Sequence, residues 1–209
     1  MLVEVNETFN VDNDFQFYRS IAKGEEKNFE LLNKNIIMTR KVNTYSNLYI
    51  SDMANIKPKY LQKINKNINH AYEIMDIDYL ERPVIVIVNT KEINGNVGLY
   101  SAINNTLYIS DDVLFLKGDN SFADYHEMWH AKQANDYIKA GNVITASTYK
   151  DYLEQLKIIS KNKIDKLGID EYNVSEISEY ARKSYFYGKY DEVEAEFMIK
   201  KLSEEGKIK

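Results

Sequence analysis

His126-Glu127-Met128-Trp129-His130 decides how this chain is read. On a helix, side chains four positions apart project from one face, about one turn above each other. His126 and His130 can therefore present two neutral imidazole nitrogens to a single tetrahedral cation, and zinc suits that donor type. Glu127 lies one residue further round, where its carboxylate reaches a water beside the cation rather than the cation itself. Two neutral ligands, a carboxylate base and an open coordination position are what metal-assisted hydrolysis requires. The chain has 3 His in all, and two of them fall in this pentapeptide.

Composition narrows the surroundings of that motif. The 209 residues are 44% hydrophobic and 28% charged, enough for one large domain or two small ones. A net charge of −5 argues against nucleic acid as a partner. There is no cysteine, so any zinc must be held by His and carboxylates, and such sites lean catalytic because structural zinc sites use Cys. The opening MLVEVNETFNVDNDF lacks the apolar stretch of a secretory signal. No run approaches the roughly 20 apolar residues of a membrane span. The expectation is a cytoplasmic protein without a membrane partner, with virion association or release by a non-classical route as alternatives.

Outward from the motif, 2 Pro and 8 Gly leave no linker-like stretch. The chain divides softly into 1–82, strands plus one helix of unassigned role, and 83–209; a single continuous domain is the alternative. IIMTRKV and NLYIS are strand-like, and 1–50 is otherwise irregular. A helix is predicted from Pro58, with Leu61, Ile64, Ile68, Ala71, Tyr72 and Met75 as its apolar stripe and His70 off it, solvated. Val84-Ile85-Val86-Ile87-Val88 reads as a strand buried on both faces. Strands over 97–102 and 106–110 form a hairpin around Asn104-Asn105. A short helical piece starts at Asp111-Asp112 and stops near Gly118. Ser121 is the predicted N-cap of the motif helix, which runs to about Ala140 with Gly141 beyond it. Further helices are predicted over Thr148–Lys166, Ser175–Tyr187 and Asp191 to about Ser203. The order is α+β, with helices segregated on one side of a sheet.

No His follows His130, and Ala131-Lys132-Gln133-Ala134-Asn135-Asp136 carries neither a glycine nor a third His ligand. A third protein ligand must be a carboxylate. In Tyr190-Asp191-Glu192-Val193-Glu194-Ala195-Glu196-Phe197-Met198-Ile199, the residues Glu192, Ala195, Glu196 and Ile199 share a helix face. The small Ala195 lets that face approach another helix. Glu192 can then ligate, and Glu196 can hold a ligating His from behind. Glu194 is the alternative third ligand, with Asp151 and Glu154 behind it.

His126-Glu127-x-x-His130 followed by Glu192-Val193-Glu194-Ala195-Glu196 resembles the HExxH zinc metallopeptidases, in particular the gluzincin branch of the zincins. There a second helix supplies a Glu ligand, often with an acidic or amide residue four positions on. The resemblance implies zinc bound by His126, His130 and Glu192, with Glu127 as general base. It also implies a zincin-like fold: a small mixed sheet with an edge hairpin packed on the HExxH helix, then a helical C-terminal subdomain. An edge strand just before the motif helix would bind substrate in extended form; Gly98-Leu99-Tyr100-Ser101-Ala102 or Thr106-Leu107-Tyr108-Ile109 is that strand. Asp124 and Lys132 depart from the uncharged surroundings usual in the branch. The long gap between His130 and Glu192 is closer to intracellular and phage-encoded relatives.

On this reading the chain is a metalloendopeptidase acting on protein or peptide substrates, with a Tyr needed to stabilise the oxyanion. Tyr187 and Tyr190 are candidates, with Tyr185 beside them. The competing readings are a structural or interaction protein that keeps the scaffold, such as a phage virion component contacting a virion or host protein, and a zinc hydrolase of non-peptide amides.

Overall fold

The computed structural model describes residues 26–31, 36–42, 47–78, 80–112 and 122–208. Among them run strands β1 (Glu26–Glu30), β2 (Ile36–Lys41) and β3 (Leu48–Ser51), helix α1 (Pro58–Ile74), and strand β4 (Val84–Val88). A 3₁₀ turn at Thr90–Ile93 leads to β5 (Gly98–Ser101) and β6 (Thr106–Ser110). The rest is helical: α2 (Ala123–Lys139), α3 (Tyr149–Lys166), a 3₁₀ turn at Val174–Glu176, α4 (Glu179–Phe186) and α5 (Tyr190–Glu204). The strands form one mixed sheet in the order β1-β2-β3-β4-β6-β5. β3, β4 and β6 run parallel, and β1, β2 and β5 pair antiparallel to their neighbours. This is a mixed α+β fold.

β4 sits centrally, and its unbroken apolar run buries both faces as expected. Ile85 and Ile87 face α1 and α2, in a core with Leu48, Leu107, Ile109 and the α1 stripe Leu61, Ile64, Ile68, Ala71 and Met75. Val86 and Val88 face the other way, with Phe29, Ile37, Tyr49 and Tyr108. Each fully buried Ile or Leu contributes about 1.5–3 kcal/mol, so the α1 stripe by itself is ample to seat that helix on the sheet. The first core also takes in Tyr152, Leu156, Ile199 and Leu202 from the C-terminal helices. The division expected near residue 82 falls inside this continuous sheet and core, since β3 pairs directly with β4.

β1 has no counterpart in the sequence reading. Glu26-Lys27-Asn28-Phe29-Glu30 has weak strand character, and it is strand because it pairs along β2 from Glu26 opposite Arg40 to Glu30 opposite Ile36. The helix expected over Ser175–Tyr187 is two pieces. Ser178 is extended and its hydroxyl accepts the Ala181 N–H, so it caps α4 instead of continuing a helix from upstream. The motif helix begins at Ala123 behind Phe122, with no side-chain cap. Ser121 and the piece expected near Gly118 lie outside the described residues. Asn105 and Gly141 take the left-handed backbone their turns need, at φ 46° and 91°. Among the described residues no helix is long and apolar enough to cross a membrane.

Candidate metal centre

α2 is held from two sides. Met128, Ala131 and Ala134 are buried against the sheet and α1, while the opposite face meets α5. Ala195 is fully buried on α5, and its lack of bulk lets the two helices close up. That approach brings together residues 66 positions apart in the chain: Glu192 Oε2 lies 3.0 Å from His126 Nε2 and 3.5 Å from His130 Nε2. The two Nε2 atoms are 3.2 Å apart. A tetrahedral zinc with bonds of about 2.05 Å requires ligand atoms about 3.3 Å apart, so the three donors already form one face of such a tetrahedron. Their chemistry fits too, with two imidazoles and one carboxylate. Among the described residues this is the single His/Asp/Glu group of three able to hold a metal ion.

The other ring nitrogens are committed. Glu196 Oε1 is 2.9 Å from His126 Nδ1, and Ser178 Oγ donates to Glu196 Oε2 at 2.6 Å. Gln133 Oε1 is 2.8 Å from His130 Nδ1. Such outer partners orient the rings and leave each Nε2 for the metal.

Without metal these groups hold protons. Burial alone would depress both imidazoles, but the hydrogen bonds of Glu192 and Glu196 outweigh it and push His126 up to about 10. Glu192 likewise pushes His130 up to about 9. Burial raises Glu192, and the two imidazoles more than reverse this, holding it well below the usual carboxylate range. Folded His values above the unfolded value of about 6.5 contribute stability that is complete below that pH and is lost as pH climbs through 9 and 10. Metal must displace those protons, so its apparent affinity rises with pH. The rise in melting temperature caused by a fixed concentration of free zinc is therefore expected to grow steadily from about pH 6 to about pH 8.5. A zinc-induced shift that is flat or falling over that range would contradict this assignment.

Glu127 lies near enough to both imidazoles and to Glu192 to feel their charges, and its side chain lies across β5. The Tyr100 main-chain N–H donates to its carboxylate. Burial raises the Glu127 carboxyl above its ordinary value, against the pull of His130 and His126. Among the described residues β5 is the sheet edge, with β6 on its inner side. The Ser110 N–H donates to Val97 O at 2.9 Å, which sets the phase of the ladder. In that phase the main-chain groups of Gly98 and Tyr100 turn away from β6, toward the outer side of the sheet. The side chain of Glu127 occupies the space a side chain at residue 98 would fill: a Cβ there would stand 2.6 Å from Glu127 Cγ and 3.0 Å from Oε1. Gly98→Ala is expected to displace Glu127 while leaving the metal ligands in place. Should the group hold zinc and the chain hydrolyse peptides, the outcome is unchanged zinc stoichiometry with hydrolysis slowed about 10²-fold, measured as kcat on a fluorogenic peptide.

The expected ligands His126, His130 and Glu192 thus converge, with Glu196 behind His126. The alternative ligand Glu194 does not face the centre. It is buried beneath α3, where Ser160 Oγ and Lys163 Nζ donate to it at 2.6 Å and 2.7 Å. Asp151 and Glu154 are exposed on α3. His70 is partly buried and hydrogen-bonds the Tyr125 hydroxyl at 2.9 Å. Tyr187 is 80% exposed, and Tyr190 stacks edge-on to Tyr185 at 5.6 Å, so neither meets the ligands. Tyr180 does: its hydroxyl donates to Glu192 Oε2 at 3.1 Å, and its ring lies 6.1 Å from that of His126. Burial and the Glu192 carboxylate hold this hydroxyl well above the phenol range, so it stays a donor. Tyr180 carries no local sequence signal, because its position depends on how α4 folds back on α5. Gln133 had one, since it follows His130 by three positions on the same helix face. Of the two unusual charges, Asp124 is buried, accepts from Asn67 at 2.8 Å and is pushed up to about 6 by that burial. Lys132 pairs with Asp136 one turn on.

No protein-family model, curated protein or solved structure matches the chain. The fold and site define an α+β protein with a His₂Glu group able to hold a metal ion.

Proposed function

We propose that this chain is a zinc-dependent peptidase with a zincin-like, gluzincin-type arrangement, acting on protein or peptide substrates. The observation that carries the reading is the triangle of His126 Nε2, His130 Nε2 and Glu192 Oε2, with edges of 3.2, 3.0 and 3.5 Å, set beside β5, the outermost strand of the sheet among the described residues. Zinc held there supplies Lewis acidity to a water and to the scissile carbonyl. Glu127 accepts a proton from the attacking water and delivers it to the leaving amine. The Tyr180 hydroxyl donates to the negative charge that develops on the carbonyl oxygen. An extended substrate adds to β5 through the outward main-chain groups of Gly98, which places a peptide bond alongside Glu127.

The test is direct. Protein carrying one equivalent of zinc is expected to cleave unfolded casein or a mixed peptide library, to stop when the metal is chelated, and to recover when zinc is returned. Stoichiometric zinc with no cleavage of any peptide bond would remove the peptidase reading and favour a scaffold protein or a hydrolase of other amides.

A further inference from the structure

Gln133 joins the metal centre to the neighbouring helices, and its amide can face only one way. Its Nε2 lies 3.0 Å from Glu194 Oε2 and 3.2 Å from the main-chain oxygen of Asp191. Lys163 donates to Glu194 Oε1 at 2.7 Å and Ser160 donates to Oε2 at 2.6 Å, so both carboxylate oxygens are acceptors. The amide nitrogen of Gln133 must therefore face Glu194 and Asp191, because an oxygen there would meet only other acceptors. Its Oε1 is left facing His130 Nδ1 at 2.8 Å, where it can only accept. Once a metal has displaced the other proton, His130 must keep its one remaining proton on Nδ1, which leaves the Nε2 lone pair toward His126 and Glu192. Gln133, Glu194 and Ser160 are 3%, 2% and 0% exposed, so water offers the amide little alternative.

We infer that Gln133 and Glu194 are positioning residues of the metal centre: Glu194 fixes the amide of Gln133, and Gln133 sets the tautomer and orientation of His130. The inference rests on the metal-binding reading above. Glu194, weighed in the sequence as a ligand, acts two hydrogen bonds behind one. The two histidines are consequently held by different devices, a carboxylate directly on His126 and a neutral amide backed by a buried carboxylate on His130.

The test is zinc affinity, measured by competition with a chromophoric chelator, in wild type, Gln133→Leu, Glu194→Leu and the double variant. Gln133→Leu is expected to weaken zinc about 10–100-fold, the usual effect of removing such a partner. Glu194→Leu should weaken it less. The double variant should bind like Gln133→Leu alone, because Glu194 reaches the metal only through Gln133. A folded Gln133→Leu that binds zinc as tightly as wild type, or losses that simply add, would overturn the inference. Nitrogen NMR of zinc-loaded wild type tests it without any variant. A slowly exchanging proton on His130 Nδ1 is expected, and a proton on Nε2 would refute it. Wild type that takes up no zinc at all would sink the metal reading and this inference together; wild-type binding with indifferent variants would sink this inference alone.

Discussion

Glu127→Gln is expected to bind one zinc as wild type does and to lose about 10²–10⁴-fold in kcat, the range a positioned general acid–base supplies. Glutamine keeps the shape of the side chain that packs over Gly98, so the edge strand and the ligand triangle should stand. What it lacks is a basic oxygen. Near the metal its neutral amide can hold a water but cannot take its proton. KM should change little, since Glu127 is asked to act on the transition state and not on substrate binding. The pair of readings, metal content by elemental mass spectrometry and kcat by peptide hydrolysis, separates this from misfolding. Full activity in Glu127→Gln would eliminate the residue as base, and loss of zinc would make it a structural part of the site.

His126→Ala and Glu192→Ala carry the second large effect. Each removes one corner of the triangle, and His126→Ala also takes away the partner of Glu196 Oε1, which lies 2.9 Å from Nδ1. His126→Ala is expected to abolish stoichiometric zinc. Glu192→Ala should weaken it by more than the roughly 10–100-fold that the loss of an outer partner costs. Glu192 is also the carboxylate that draws the two imidazoles to high pKa, so its removal should lower both in the metal-free protein. The metal-free Glu192→Ala protein should accordingly lose less stability than wild type as pH rises through 9 and 10. Retention of stoichiometric zinc in both variants would place the metal elsewhere.

Much of this centre was legible before any fold was known, for a physical reason. His126, Glu127 and His130 lie within one and a half turns of helix, and helical geometry alone places them. Glu192 and Glu196 were legible by the same rule applied to a second helix, given that no His follows His130 and the chain has no Cys. β4 announced itself by an apolar run with no polar face. The N-terminal β1 did not, because its strand state comes from pairing with β2 and not from its own residues. The single helix expected over Ser175–Tyr187 is interrupted at Ser178, whose hydroxyl finds partners in the Ala181 N–H and Glu196 instead of continuing the helix.

What the sequence determined by itself is therefore the local chemistry: which residues carry donors, which face of a helix they share, and, outside β1 and the break at Ser178, where the described strands and helices begin and end to within a few positions. What only the tertiary structure decided is which groups meet across long stretches of chain. Tyr180 against Glu192, Glu194 behind Gln133, and Gly98 beneath Glu127 all depend on how closely α5 and β5 approach α2. Those distances are set by buried side-chain volume, by Ala195 and by the missing Cβ of Gly98, and packing of that kind leaves no periodic trace in a sequence.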